Sequence, residues 1–148
     1  MRTKFLRKSF IRYFFGWIAL FCLIVSAITG VILDLYYVPI PEKAPTRIFF
    51  IMDYVFGGYI IRIIHRWSAY FMVFMVILHI YHFTSDNKDI ICIILLIITL
   101  IFFFSGYILP NDQTPYWIHY FHTIVVSIIT IILIIMHLSK FPIFFQLK

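Results

Sequence analysis

Charge is the scarcest property of this chain: only 12% of its 148 residues are charged, and Asp and Glu together number six. A water-soluble domain of this size has no interior that could hide the hydrophobic 64%, so a soluble enzyme is excluded. Cysteine is almost absent. Cys22 and Cys92 lie inside apolar runs, without CxxC or CxxCH spacing, which excludes a disulfide framework and a thioether-attached cofactor; both read as packing residues. The alternation of apolar and polar residues that a transmembrane barrel needs is missing too. The run Ile90 to Phe104 is apolar on every side, which makes the spans helices. No small-residue cleavage site follows the first apolar run, which leads instead into Tyr36, Tyr37 and Pro39; it is expected to be retained rather than cleaved as a signal.

What the chain has in abundance is membrane-length apolar sequence. Its length allows four spans of about 20 residues and no second soluble domain, so residues 1–148 read as one all-α, four-helix transmembrane bundle. Span A is expected over about 10–37, followed by a polar loop from Pro39 to Arg47. A short helix over about 47–57 suits the membrane interface, and Gly57-Gly58 then breaks the chain. Span B covers about 59–83, a hairpin at Thr84 to Asp89 leads into span C over about 90–109, and Pro110 to Pro115 separates it from span D over about 116–139. Four crossings put both termini on one side. Eight basic residues fall on that side (Arg2, Lys4, Arg7, Lys8, Arg12, Lys88, Lys140, Lys148) against four opposite (Lys43, Arg47, Arg62, Arg66). Both termini are therefore expected to be cytoplasmic, in a cytoplasmic (inner) membrane, with Tyr36, Tyr37, Tyr116 and Trp117 as outer aromatic anchors. The formal charge of +6 reads as this orientation signal against a lipid bilayer, not as a nucleic-acid surface.

Ionisable residues inside a bilayer are costly, so the histidines within the spans point to function. His65 and His79 are 14 residues apart in span B; at about 100° per residue they share a face and lie ~21 Å apart along the axis. His122 and His137 are 15 apart in span D, about 60° past four turns and ~22 Å in rise. Spans B and D run in the same sense, so His65 faces His122 at an outer level and His79 faces His137 at an inner one. Two facing imidazoles in an apolar sleeve are what a six-coordinate haem requires, and two rungs imply two haems. Gly16 and Gly30 in span A, and Gly106 with Cys92 in span C, repeat the 14-residue interval; small residues let a porphyrin approach a helix backbone. Arg62, Arg66 and His82 flank these ligands as candidate partners of haem propionates. His119 lies 18 residues before His137, a rise of about 27 Å that misses the rung spacing, and is assigned to the outer surface.

These residues resemble the N-terminal, haem-binding half of the cytochrome b family, closest to the b6 form of quinol-oxidising complexes. The resemblance rests on Gly16 to Ile28-Thr29-Gly30, on Ile61 to Ala69 containing His65-Arg66-Trp67-Ser68, on Ile77-Leu78-His79, on Gly106 to Pro110 with Asp112-Gln113, and on His122-Thr123 spaced 15 residues from His137. It implies two non-covalent b haems, an outer low-potential one on His65 and His122 and an inner higher-potential one on His79 and His137, exchanging electrons with quinone. It also implies partners: a membrane subunit carrying the C-terminal half of cytochrome b, and a Rieske iron-sulfur protein or c-type cytochrome. Three departures stand out. The connection between the third and fourth helices shrinks to Pro110 through His119, the cysteine that anchors an additional haem in the b6 form falls at Phe14, and Cys92 stands where the family has glycine. The expected function is a di-haem electron-transfer subunit of a quinol-linked respiratory or photosynthetic complex, not catalytic alone. The alternatives are a di-haem anchor of the formate dehydrogenase or hydrogenase kind, and a haem-free structural subunit.

Overall fold

Lipid offers no partner for backbone polar groups, so an apolar segment must bond internally to cross it. A computed structural model describes residues 2–38, 40, 43–83, 90–111 and 114–139, and among these every regular element is a helix. Four stretches are long and apolar enough to span a membrane: Tyr13–Asp34, Gly58–His82, Ile90–Ile108 and Tyr116–Ser139. The protein is a multi-pass membrane protein with an all-α bundle. The hairpin expected over Thr84 to Asp89 lies outside the described residues.

Helix α1 (Arg2–Asp34) ends three residues earlier than the apolar run suggested. Beyond Asp34 the backbone turns, with the Tyr36 and Tyr37 amides both donating to the Leu33 carbonyl at 3.1 Å. Tyr37 is drawn out of the helix because its hydroxyl donates to the Leu109 carbonyl at 2.8 Å. Tyr37 is thus a bundle-facing latch, not the lipid-facing anchor expected of it, whereas Tyr116 and Trp117 are exposed.

Helix α2 (Ala44–Tyr54) starts and stops three residues before the expected 47–57. Pro45 in its first turn presets the helical φ, and an extended Val55 ends it. The chain then reverses through Gly57, whose φ of +70° suits a residue without a side chain. Gly58 is equally constrained, since a Cβ there would overlap the Ile51 carbonyl oxygen. Ile51, 3% exposed, seats α2 against α3 (Gly58–Phe83).

Helix α3 packs chiefly along α1, and α4 (Ile90–Ile108) packs on the last span, so the bundle is two helix pairs facing each other. Most large apolar side chains point outward, while eight of the fifteen buried described residues are polar or charged. The interior is therefore the polar side. Its hydroxyls satisfy themselves by donating to carbonyls one turn back, as Thr29 does to Val25, Thr99 to Leu95 and Thr130 to Val126, each at 2.7 Å.

The last span is not one α-helix. It consists of α5 (Tyr116–Tyr120), a π-helical segment (Phe121–Val126) and α6 (Ser127–Ser139). A π turn absorbs about one extra residue, roughly 100° of rotation. That accounts for the unequal histidine spacings. Subtracting it turns the 15-residue interval of the last span into the equivalent of 14, so His122 and His137 share a face with the same offset as His65 and His79.

Candidate functional site

The inner rung lies where the two helix pairs part. His79 of α3 and His137 of α6 face each other with ring centroids 5.9 Å apart and planes crossed at 84°. Cys92 of α4, 2% exposed, joins them, and His79, Cys92 and His137 each bring a donor atom within 4.8 Å of the other two. That spacing would let His79 and His137 hold one metal ion between them. Around the rung is an overwhelmingly apolar cavity of about 490 Å³ whose lining includes Gly16, Leu20, Met72, Thr99 and Phe102. That volume falls within the ~300–1,000 Å³ usual for cofactor pockets. A Cβ on Gly16 would stand 3.0 Å from the His79 ring, so a larger residue would push the imidazole from its place.

At the outer rung the hydrogen bonds fix the tautomers. His65 Nδ1 lies 2.9 Å from the Ser26 carbonyl oxygen; a carbonyl only accepts, so Nδ1 carries the hydrogen. His122 Nδ1 lies 2.9 Å from Ser105 Oγ. The Ser105 hydroxyl already donates to the Phe102 carbonyl at 3.0 Å, so it accepts from the His122 Nδ1–H. Both rings thereby keep a bare Nε2, the nitrogen that binds a metal when the other is anchored. Gly30 and Gly106 lie against the two rings: a Cβ would stand 3.1 Å from His65 Cε1 and 2.7 Å from His122 Cε1.

Each of the four histidines thus packs on one small residue of a neighbouring helix: His79 on Gly16, His65 on Gly30, His122 on Gly106, and His137 on Cys92, whose Sγ is 3.6 Å from its Nδ1. Small residues had been expected to admit a porphyrin; they also set the rings. The flanking residues divide. The Arg62 guanidinium turns to α2, where it donates to Met52 Sδ at 2.8 Å. Arg66 is exposed and runs outside α3, over the Tyr70 ring at 5.7 Å. His82 stacks on Phe15 of α1 with centroids 5.4 Å apart. Arg66 and His82 thus each rest against an aromatic ring.

His119 requires a correction. The sequence reading put it on the outer surface, but it is 8% exposed, paired through Nε2 with Asp34 Oδ1 at 2.5 Å and stacked on Tyr37. Its face of the helix, one turn beyond His122, is the bundle face, and Asp34 at the end of α1 supplies its hydrogen-bond partner. Sequence reasoning also missed Ser26, Thr29 and Ser105. Their signal was present: hydroxyl residues in otherwise apolar runs, two of them directly preceding Gly30 and Gly106.

Bare Nε2 atoms at the outer rung, an apolar cavity at the inner one and a small residue against each ring suit these levels to haem. The Cytochrome b/b6/petB family profile matches residues 4–141. Among curated relatives, the chain is similar to cytochrome b6 of Prochlorothrix hollandica, 41% identical over 71% of this chain and 51% of the relative. Similarity to cytochrome b6 of Synechococcus elongatus is 38% over 71% of this chain and 53% of the relative. For cytochrome b6 of a Picosynechococcus species it is 42%, over 71% and 51%. The chain spans about half the length of these relatives.

Proposed function

The chain belongs to the cytochrome b family, and from that premise we propose that it is the di-haem electron-transfer subunit of a quinol-linked membrane complex. His65 and His122 ligate the outer haem, His79 and His137 the inner one, and Gly16, Gly30 and Gly106 leave room for the rings that hold them. Bound b haems would supply one-electron relay between the two membrane faces. The chain's own residues do the rest. Ser26 and Ser105 hold the outer imidazoles in the Nδ1–H form, the apolar cavity wall excludes water from the inner pair, and Arg62 offers its guanidinium to a propionate. The basic N-terminal segment keeps both termini cytoplasmic. A membrane subunit with the C-terminal half of cytochrome b, a Rieske iron-sulfur protein or c-type cytochrome, and quinone complete the complex.

The observation that carries this reading is the pairing of His79 with His137 across an apolar cavity of cofactor size. A pyridine haemochrome assay on the purified chain tests it. Two haems per chain are expected in the wild type and one in His65→Ala or His137→Ala; retention of both in either variant would sink the ligand assignment.

A further inference from the structure

Among the described residues, the two rungs leave one buried histidine without a role. His119 is 8% exposed; its Nε2 meets Asp34 Oδ1 at 2.5 Å and its ring stacks on Tyr37 with centroids 5.1 Å apart. Tyr37 is itself tied to the Leu109 carbonyl at 2.8 Å. The imidazole is thus clamped on one edge and one face. Its second nitrogen, Nδ1, is buried with no hydrogen-bond partner among the described residues. Buried polar nitrogens are normally paired, so a group of suitable chemistry belongs there.

The position of His119 says which group. It precedes His122 by three residues, a rise of about 4.5 Å with a rotation within about 60° of the same face. Arg62 bears the same three-residue relation to His65 on α3. Among the described residues the Arg62 guanidinium has a thioether, Met52 Sδ, as its hydrogen-bond partner, and a thioether is a weak acceptor. Two N–H donors therefore stand one turn beyond the outer pair of histidines, one on each facing span. A b haem carries two carboxylates on one edge, and carboxylates at a membrane margin need paired charge and strong donors.

We propose that His119 binds a propionate of the outer haem through its Nδ1–H, with Arg62 on the other propionate and Asp34 holding the imidazole in place. This rests on the di-haem reading of the rungs. Donation to the propionate withdraws negative charge from the haem edge, so it favours the added electron and raises the outer haem's potential.

The test uses the full haem-loaded chain in native membranes. Haem stoichiometry of the wild type comes first, and fewer than two haems defeats the di-haem reading independently of His119. In His119→Leu, redox titration of the two resolved α-bands is expected to move the outer haem alone. At the wild-type midpoint its oxidised-to-reduced ratio should rise about tenfold, the loss of one charge-assisted hydrogen bond. His119→Gln, which keeps an N–H donor, should restore part of that shift. Should His119→Leu lose its outer haem, redox-difference infrared spectra with carboxylate-labelled haem decide the matter in wild type and His119→Gln. A propionate band that moves between the two supports the contact. Unmoved propionate bands, or an unmoved outer potential in a His119→Leu chain that keeps both haems, overturn it and leave the pair with Asp34 as a tie between α1 and α5.

Discussion

At the outer rung both imidazoles are held by oxygen, His65 by the Ser26 carbonyl and His122 by the Ser105 hydroxyl, each at 2.9 Å. At the inner rung His137 instead faces the Cys92 sulfur at 3.6 Å, and the two rings cross above an open apolar cavity. Oxygen at that distance fixes both the tautomer and the ring angle, whereas a thiol is a weak acceptor that fixes neither strongly. These two bonds preorganise the outer level, and the Cys92 sulfur gives His137 a weaker hold at the inner one. For His122 and His137 the contrast follows from what precedes the small residue: serine stands before Gly106, whereas isoleucine stands before Cys92.

The largest expected break of this contrast is at Gly106. A Cβ there would meet His122 Cε1 at 2.7 Å, and the Ser105 bond keeps the ring from yielding, so Gly106→Ala should lose most of the outer haem. Gly16→Ala, whose Cβ would stand at the longer distance of 3.0 Å from the His79 ring, should lose less of the inner one; reduced-minus-oxidised spectra of the two variants compare them directly. Next comes Ser105→Ala, which removes the acceptor behind His122 and should weaken outer-haem retention by roughly tenfold in a haem-transfer assay. An equal loss of both haems would show that the oxygen anchor is not specific to its rung.

A smaller effect is expected from Tyr37→Phe, which removes the tie between the end of α1 and Leu109. The cost is about 1 kcal/mol of stability by denaturant titration in detergent. Burial pushes the Tyr37 phenol above its ordinary value of 10.0. The sign follows: the tie is fully present below pH 10 and is lost as pH rises through the raised value, so wild type and Tyr37→Phe should converge only in strong alkali. Smallest of all is Cys92→Gly. It removes one weak sulfur contact and should change inner-haem affinity by about twofold, leaving the outer haem untouched.

Much of this was legible in the sequence for a definite reason. Apolar runs of membrane length must be helices, so four spans followed from hydropathy alone, with boundaries displaced by two or three residues where a tertiary bond such as Tyr37 to Leu109 competed with the helix. The 14-residue intervals placed Gly16, Gly30, Cys92 and Gly106 at the heights of the histidines because helical rise is uniform. Uniformity is also where that reasoning failed. It took the last span as a regular α-helix, and neither the π-helical segment around His122 nor its correction of the 15-residue phase has a signature in residue type.

His119 shows the same boundary from the other side. Counting along one helix gave its height correctly and its surroundings wrongly, because burial depends on what a second helix brings opposite. The sequence by itself determined the number of spans, the levels of the two rungs and the residues able to fill them, since these depend on hydrophobicity and on rise per residue within single helices. Only the tertiary structure decided which helix pairs formed and which nitrogen of His65 and His122 was anchored. It likewise decided that the inner pair would border a cavity and that Asp34 would reach His119. Those outcomes depend on contacts between segments far apart in the chain, and no local pattern encodes their distance or angle.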